Sequence, residues 1–447
     1  MGEKFQGWER MSSNNSKMKR PLVPRLRFPE FREAGEWEYY QLGQCLSSHP
    51  EYGVNAAAVP YAENLPTYLR ITDISEDGQI RLDQKVSVEK DITDENYLED
   101  GDIVLARTGA SVGRAYKYRP KDGRLVFAGF LIRIRPNQEK LISEFLFQFL
   151  ASEQYWRWVD FTSARSGQPG INANEYASLP LQLPPTIKEQ QKIADCLSSL
   201  DELISLEAQK LEALKRHKKG LMQQLFPREG TVPRLRFPEF REAGEWEVKA
   251  ISELGELFGG LIAKSGDDFG QGSPFVTYRQ IFERNYIDMK ECGRVKVEED
   301  ETQNNLQQGD ILFTASSETP DEVGVASVIL TDPEIDTYLN SFCFALRPYN
   351  QSSLNSQFSR YLFHSAGYRK SVTDIAQGST RFNISKSAFR QIRIAITEDE
   401  KEQQKIADCL SSLDDLISLH SQKIELLKRH KNGLMQQLFP VMDEILA

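Results

Sequence analysis

Residues 23–38 read VPRLRFPEFREAGEWE, and residues 232–247 repeat these sixteen letters without a change. A second repeat lies further along the chain, where residues 188–227 and 401–440 align without gaps and 34 of 40 positions are identical. Repeats of this length indicate that one structural unit occurs twice. We call 23–38 and 232–247 the frame blocks.

The segments between these repeats, residues 39–185 and 248–396, share only scattered landmarks, and we call them the inserts. The order of frame block, insert and helix is cyclic, because the block at 23–38 is the segment that would follow the second helix. We predict a pseudo-two-fold molecule in which this block completes the unit that the second helix opens. Such a molecule offers the same surface to two copies of one partner. The alternative is a tandem duplication without functional symmetry.

The second repeat reads as two long helices. Thr186 with Glu189, and Asp399 with Glu402, form capping-box patterns at their starts. The apolar residues follow the three–four spacing of a heptad, which favours a coiled coil over a surface helix. The pairing should be antiparallel, since a two-fold axis relating the repeats reverses them. The predicted seam residues are Ile193, Leu197, Leu200, Ile204, Leu211, Leu214, Ile406, Leu410, Leu413, Ile417, Ile424 and Leu427.

Polar residues interrupt each seam twice. In an antiparallel pair, Glu207 and His420 either form a polar layer that fixes the register or reach solvent. We favour solvent, because charged side chains are mostly exposed. The basic helix ends at 215–219 and 428–431 suit a helix C-terminus and are also suited to contact DNA phosphates. The interrupting residues are Glu207, Lys218, His420 and Lys431.

The chain carries 55 Lys and Arg against 65 Asp and Glu, a formal net charge of −10. This total argues against nucleic acid, because nucleic-acid-binding domains are typically basic. Inside each insert, however, the charge is segregated. Residues 107–135 hold eight Lys and Arg against one Asp, and residues 360–393 hold seven against one. We therefore expect local DNA contact from a chain that binds DNA poorly when it is alone.

Polar loops in both inserts supply the candidate contacts. Residues 107–114 form a turn between two predicted strands, and a second polar loop lies at 166–174. Residues 314–322 and 377–383 stand in their places in the second insert. Arg, Lys, Asn, Gln, Ser and Thr reach phosphates and base edges, although ordinary solvated loops have the same composition. The predicted DNA-binding residues are Arg107, Thr108, Ser111, Arg114, Lys117, Arg165, Gln168, Asn172, Asn174, Arg279, Thr314, Ser316, Ser317, Arg381, Asn383 and Lys386.

No catalytic motif is evident in the sequence. It lacks a GxxxxGKS/T loop, a dinucleotide fingerprint, an Asn-Pro-Pro-aromatic motif and HExxH, and its five cysteines form no CxxC pair. It also lacks a run of about 20 apolar residues and a signal-peptide pattern at its N-terminus. We expect a non-catalytic cytoplasmic protein that carries no metal and no cofactor.

The arrangement resembles the specificity (S) subunit of type I restriction–modification systems. The resemblance rests on the duplicated Glu-Gln-Gln-Lys-Ile-Ala helices from Glu189 and Glu402, the Leu-Phe-Pro exits, the frame blocks and the Gly-Asp-Ile strands of each insert. It covers the chain from about Val23 to Pro440. It implies an α+β fold with two mixed α/β target recognition domains joined by a long antiparallel two-helix coiled coil.

The resemblance also implies a division of labour. Each recognition domain would read one half of a bipartite target in double-stranded DNA, and the coiled coil would set the spacer. The repeats would dock two adenine methyltransferase (M) subunits, which bring S-adenosylmethionine. Restriction and translocase (R) subunits, which bring ATP and Mg, would join the complex, and the chain itself would catalyse nothing.

The predicted domains follow the repeat, and Met11 and Met18 are both possible natural starts. One alternative function is a non-catalytic coiled-coil adaptor whose inserts bind protein, which the acidic total favours. A self-contained nuclease or methylase is a third class, against which the missing motifs argue. The predicted domains are an N-terminal extension (1–22), a first recognition domain (23–185), a central helix (186–230), a second recognition domain (231–398) and a distal helix (399–447).

Overall fold

A computed structural model describes residues 22–440 except 82, 83, 165–167, 229 and 379. The described part of the chain divides into two compact units, one within residues 22–207 and 423–440 and the other within residues 208–422. Each unit therefore holds one insert and a part of each long helix. In the described part of the chain, no helix combines the length and the apolar character needed to cross a bilayer.

The first unit contains short strands and helices. A four-stranded antiparallel sheet has the order β2-β9-β6-β7, a second sheet has the order β3-β5-β4-β8, and β1 pairs with β10. These labels denote β1 (Glu38–Gln41), β2 (Glu51–Tyr52), β3 (Ala58–Pro60), β4 (Thr67–Leu69), β5 (Val86–Val88), β6 (Ile103–Ala106), β7 (Ala115–Lys117), β8 (Leu125–Phe127), β9 (Leu131–Ile134) and β10 (Pro180–Leu183). The helices are α1 (Ser143–Phe149), α2 (Glu153–Ser163), α3 (Ala173–Ala177) and the long α4 (Ile187–Leu225), which continues into the second unit.

The second unit also contains a four-stranded main sheet, but its smaller sheets differ from those of the first unit. Its main sheet has the order β12-β19-β15-β17, beside smaller sheets β14-β13-β18, β11-β21 and β16-β20. The strands are β11 (Glu247–Ala250), β12 (Gly255–Gly259), β13 (Phe269–Val276), β14 (Gly293–Val295), β15 (Ile311–Thr314), β16 (Ser316–Ser317), β17 (Ala326–Val328), β18 (Tyr338–Leu339), β19 (Cys343–Pro348), β20 (Phe382–Asn383) and β21 (Arg393–Ile396). The helices are α5 (Ile251–Leu254), α6 (Tyr278–Glu283), α7 (Ser356–Leu362), α8 (Ala366–Ile375), α9 (Lys386–Arg390) and the long α10 (Glu400–Leu438).

The shared Gly-Asp-Ile landmark fixes the central strand pair of each main sheet. Gly309 has a φ of +91°, a left-handed conformation that glycine adopts without strain. The turn places the buried Asp310 carboxylate against β19, where it accepts hydrogen bonds of 2.8 and 2.7 Å from Arg347. In the first unit, Asp102 accepts a 3.2 Å hydrogen bond from Arg135, which directly follows β9, the strand that corresponds to β19. The landmark therefore places a buried carboxylate in an ion pair with a half-exposed arginine of the neighbouring chain segment.

The N-terminal frame block completes the first unit, as the cyclic order predicts. Arg27 donates two 2.8 Å hydrogen bonds to the buried Glu189 carboxylate near the start of α4. The second block repeats this contact in the second unit, where Arg236 donates bonds of 2.6 and 2.8 Å to Glu402. One half of each predicted capping box is present, since the Glu189 amide donates to the Thr186 hydroxyl and the Glu402 amide to the Asp399 carboxylate, both at 3.3 Å. The Glu189 and Glu402 carboxylates bind the frame-block arginines.

Parts of α4 and α10 pack against each other within each unit, and the ion pairs between them give the direction. In the first unit Lys431 binds Asp201 at 2.6 Å and Lys423 binds Glu207 at 2.5 Å. Residue numbers therefore rise along one helix as they fall along the other, which is antiparallel. In the second unit Lys218 binds Asp414 at 2.5 Å. All twelve predicted seam residues are buried or half-buried.

The polar interruptions of the seam are not solvated. Glu207 is 8 % exposed and His420 is 6 % exposed, so the prediction that both reach solvent is wrong. The base rate for charged residues does not apply at Glu207, because Lys423 on the opposing helical segment supplies its counter-charge. Lys218 and Lys431 likewise bind carboxylates on the opposing segments of their own units.

Candidate nucleic-acid interface

Backbone hydrogen bonds join the two polar loops of the first insert. The Gly109 amide donates to the Pro169 carbonyl at 3.1 Å, and the Ile171 amide donates to the Arg107 carbonyl at 2.8 Å. Thr108 and Gly170 form an isolated β-bridge between these bonds. The turn that follows β6 and the loop that precedes α3 therefore form one surface, although about 60 residues of chain separate them.

Five polar side chains belong to this surface. The Arg107 guanidinium lies over the ring of Tyr52, 4.8 Å from its centroid. The Asn174 Oδ1 accepts a 3.0 Å hydrogen bond from His49 Nε2. Gln168 is exposed and lies close to Gly109. Its side-chain nitrogen would be 3.3 Å from a Cβ added to that glycine. Half-exposed Thr108 and Ser111 lie along the same turn.

Other predicted contacts of the first insert serve the fold instead. The Lys117 ammonium binds Glu144 at 2.7 Å, and this ion pair lowers the pKa of that carboxyl despite the opposing effect of burial. Asn172 caps α3 by accepting a 2.9 Å bond from the Glu175 amide. Arg114 binds Glu76 at 2.9 Å. Arg165 lies outside the described residues.

The basic run at 107–135 does not form an uncompensated positive face. Acidic residues from elsewhere in the insert neutralise five of its eight cations. The sequence segregates charge along the chain, and the fold mixes it again in space. The five paired cations are Arg114, Lys117, Arg124, Arg133 and Arg135.

The second insert joins its two loops at the equivalent place. The strand β16 pairs with β20, so that Ser316 faces Asn383 in the register. The Arg381 side chain donates a 2.7 Å hydrogen bond to the Ser316 hydroxyl, and its guanidinium lies 5.8 Å from the centroid of the Phe342 ring. Asn383 and Arg381 are exposed. The arrangement matches the first insert in backbone geometry and differs in its side chains.

Three predicted contacts of the second insert are buried. Thr314 has no exposed surface, and its hydroxyl donates to the Glu322 carbonyl and accepts from the Val325 amide. Ser317 donates to the Glu322 carboxylate at 2.8 Å, and Ser316 is held by Arg381. The prediction that these hydroxyls contact DNA is incompatible with this structure, because they are buried and already bonded to other groups of the insert.

The remaining predictions for the second insert lie away from the joined loops or at their edge. Arg279 is exposed on α6 and pairs with Glu283 at 2.7 Å. Lys386 is exposed at the start of α9. The basic run at 360–393 does not form one exposed cationic face. The Arg369 guanidinium donates to two backbone carbonyls, and its burial lowers its pKa.

Aromatic residues at this surface were not among the predicted contacts. Tyr52 comes from β2, far from the turn in sequence, and only the folded sheet brings it to Arg107. Phe130 and Phe342 precede β9 and β19 and are 59 % exposed in both inserts. Their sequence signal is a second landmark that the two inserts share, Phe130–Pro136 in the first and Phe342–Pro348 in the second. Across the described ranges, no group of three or more His, Cys, Asp or Glu side chains is placed to bind a metal ion.

Comparison with known proteins agrees with this arrangement. The family model described as the type I restriction modification DNA specificity domain matches residues 36–216 and 243–429. The chain is 23 % identical to the type I restriction enzyme MjaVIII specificity subunit of Methanocaldococcus jannaschii over 437 residues, which cover 92 % of this chain and 93 % of that protein. It is 27 % identical to the putative MjaX specificity subunit of the same organism, over 78 % of this chain and 83 % of that one.

A solved structure shares the fold. The type I restriction–modification system S subunit from M. genitalium superposes with a TM-score of 0.57 at 16 % identity. The match covers 94 % of this chain and all of the other chain.

Proposed function

The chain belongs to the type I restriction–modification DNA specificity family, and we propose that each of its inserts reads one half of a bipartite target in double-stranded DNA. The observation that carries this proposal is the joined-loop surface. Each insert brings two distant polar loops together at the same end of an equivalent sheet, and each surface presents different side chains. One scaffold with two different reading surfaces suits a target with two different halves.

The side chains that remain at these surfaces suit base recognition. Arg107 and Arg381 can each make two hydrogen bonds to one guanine, and Gln168, Asn174 and Asn383 can each make two to one adenine. The stacking of Arg107 on Tyr52 holds its guanidinium plane without a carboxylate as partner. Phosphate contacts would fix the position on the duplex, and these side chains would supply the sequence preference.

We infer that α4 and α10 form one antiparallel coiled coil that sets the spacer between the half-sites. Support comes from the buried or half-buried seam residues and from the ion pairs that fix the register within each unit. Rigid helices rise about 1.5 Å per residue, so the separation of two inserts would be fixed by helix length. The spacer would then be read by distance and not by its bases.

The repeats would dock two adenine methyltransferase subunits. Each unit presents the same frame block, fixed by the same arginine–glutamate pair to the start of a repeated helix. Two copies of one partner could therefore bind in the same way. S-adenosylmethionine would be bound by these subunits, and ATP and Mg by restriction and translocase subunits. The chain itself would select the site without catalysing a reaction, in the cytoplasm where these partners meet DNA.

The salt dependence of DNA binding tests this function. The chain, assembled with its methyltransferase partner, is titrated with a duplex that carries its methylated motif at increasing KCl. A DNA reader shows a linear fall of log affinity with log salt, with a slope of about −0.9 for each phosphate neutralised. Binding that is absent, or independent of salt and sequence, would favour the adaptor function, which the specificity-subunit relatives do not support.

A further inference from the structure

Phe130 and Phe342 occupy equivalent places in two inserts that otherwise differ in sequence. Each is the last residue of a tight turn and directly precedes a central strand of the main sheet, β9 or β19. The Phe130 carbonyl accepts a 3.0 Å bond from the Arg107 amide, and the Phe342 carbonyl accepts a 3.1 Å bond from the Ala315 amide. Both residues are therefore tied by the backbone to the first of the two joined loops.

Both side chains are 59 % exposed. A single exposed apolar side chain is ordinary on a protein surface. Here the same ring recurs at the same position beside the reading loops of both inserts, while the polar residues of those loops differ. A ring that packed only for stability would be covered by the fold, and neither ring is.

The surroundings of these rings are polar and cationic. The Arg381 guanidinium lies 5.8 Å from the Phe342 centroid, and Arg107 is bonded through its backbone to Phe130. A protein partner that buried these rings would also have to bury Arg107 or Arg381. DNA can contact both the rings and the cations, because it presents anionic and hydrogen-bonding groups around apolar base surfaces.

We propose that the rings of Phe130 and Phe342 each pack against a base of the half-site that their insert reads, which rests on the proposed function. A phenyl ring has no hydrogen-bonding group, so it recognises apolar base surface. That surface is either the C5-methyl group of a thymine in the major groove or the face of a base exposed by a partly opened step. Arg107 and Arg381 then specify the neighbouring base edge.

Selection from a random-sequence duplex library by the assembled complex tests the proposal. The variants are Phe130→Ala, Phe130→Leu and Phe342→Ala, with Tyr39→Ala and Tyr349→Ala as controls. The control residues are 58 % and 65 % exposed on the same units, at β1 and just after the far end of β19. Because all four side chains are exposed, the five variants should fold, and thermal melts verify this.

We expect Phe130→Ala to weaken binding of the selected motif by about tenfold and to relax one or two adjacent positions in one half only. Phe342→Ala should do the same in the other half, Phe130→Leu should keep part of the affinity, and the controls should bind as the wild type does. Equal affinity and an unchanged motif in both alanine variants would overturn the inference. A wild type that selects no motif would instead overturn the proposed function.

Duplexes with uracil in place of thymine identify the base surface. If the substitution weakens the wild type and leaves Phe130→Ala unaffected, the ring contacts a thymine methyl group. The ring packs on a base face if uracil weakens the binding of both proteins equally or of neither, while Phe130→Ala still binds more weakly than the wild type. Both results uphold the base contact, and equal binding of all proteins to all duplexes contradicts it.

Discussion

The Leu26 amide donates a 3.0 Å hydrogen bond to the carbonyl oxygen of Gln437, although these residues lie near opposite ends of the chain. The Leu235 amide makes the same 3.0 Å bond to Gln224, where the two residues are close in sequence. Each frame block thus closes onto the end of a long helix in its own unit. The repeat is cyclic, and the first unit is built from both ends of the chain.

The buried Arg27–Glu189 pair should be essential to the first unit. Glu189→Gln leaves the Arg27 guanidinium buried without its counter-charge, which costs about 3–5 kcal/mol. Glu30→Gln is the matched control, since Glu30 pairs with Lys192 at 3.5 Å with both side chains half in solvent, and it should cost less than ~1 kcal/mol. Urea unfolding followed by tryptophan fluorescence measures both. Equal midpoints for the two variants would show that the pair does not hold the frame block.

The aromatic cluster at each helix exit should stabilise only its own unit. Phe439 packs 6.5 Å from Trp37 and 5.4 Å from Phe145, measured between ring centroids, and Phe226 packs similarly on Trp246 and Phe358. Phe439→Ala and Phe226→Ala should each cost about 3–5 kcal/mol. Amide hydrogen exchange should show loss of protection confined to the first unit for Phe439→Ala and to the second for Phe226→Ala. Loss spread over both units in either variant would refute this assignment.

Acid should weaken the second unit through His364. Burial lowers the pKa of this imidazole to about 4, and its Nε2–H donates a 2.8 Å bond to the Ala326 carbonyl. The unfolded chain takes up the proton near pH 6.5. The contribution to stability is therefore complete above pH 6.5 and decreases as the pH falls toward 4, by up to about 3 kcal/mol.

His364→Gln keeps a donor and removes this titration, so the wild type and the variant should differ in the slope of unfolding free energy between pH 7 and 5. The first unit has Ala151 at the equivalent position and provides an internal control. Parallel slopes for the wild type and the variant would rule out His364 as the source.

The fold could be predicted from the sequence because its determinants are local or repeated. The heptad spacing from Ile193 onward indicated the long helices, and the identical frame blocks indicated the cyclic order that the Leu26–Gln437 bond confirms. The Thr186 cap follows from residue type alone. These features need no knowledge of which distant residues meet.

For the candidate site, the sequence indicates two polar loops in each insert but not which of their side chains face solvent. Nothing in the sequence shows that Thr314 and Ser317 turn inward or that Lys117 is bound by Glu144, because those contacts depend on tertiary packing. The burial of Glu207 is hidden from the sequence for the same reason, since its partner Lys423 lies on the other repeated helix. Tyr52 reaches Arg107 through strand pairing, which local patterns do not encode.

Genomic methylation mapping tests the central claim that each insert reads one half-site. Cells carry the partner subunits with the wild-type chain, Arg107→Ala, Arg381→Ala, or the exposed helix-surface control Arg157→Ala. The account predicts a bipartite methylated motif that Arg107→Ala relaxes in one half only and Arg381→Ala in the other half only, with the spacer unchanged and the control identical to the wild type. Relaxation of both halves by one variant, or an unchanged motif in both variants, would contradict it.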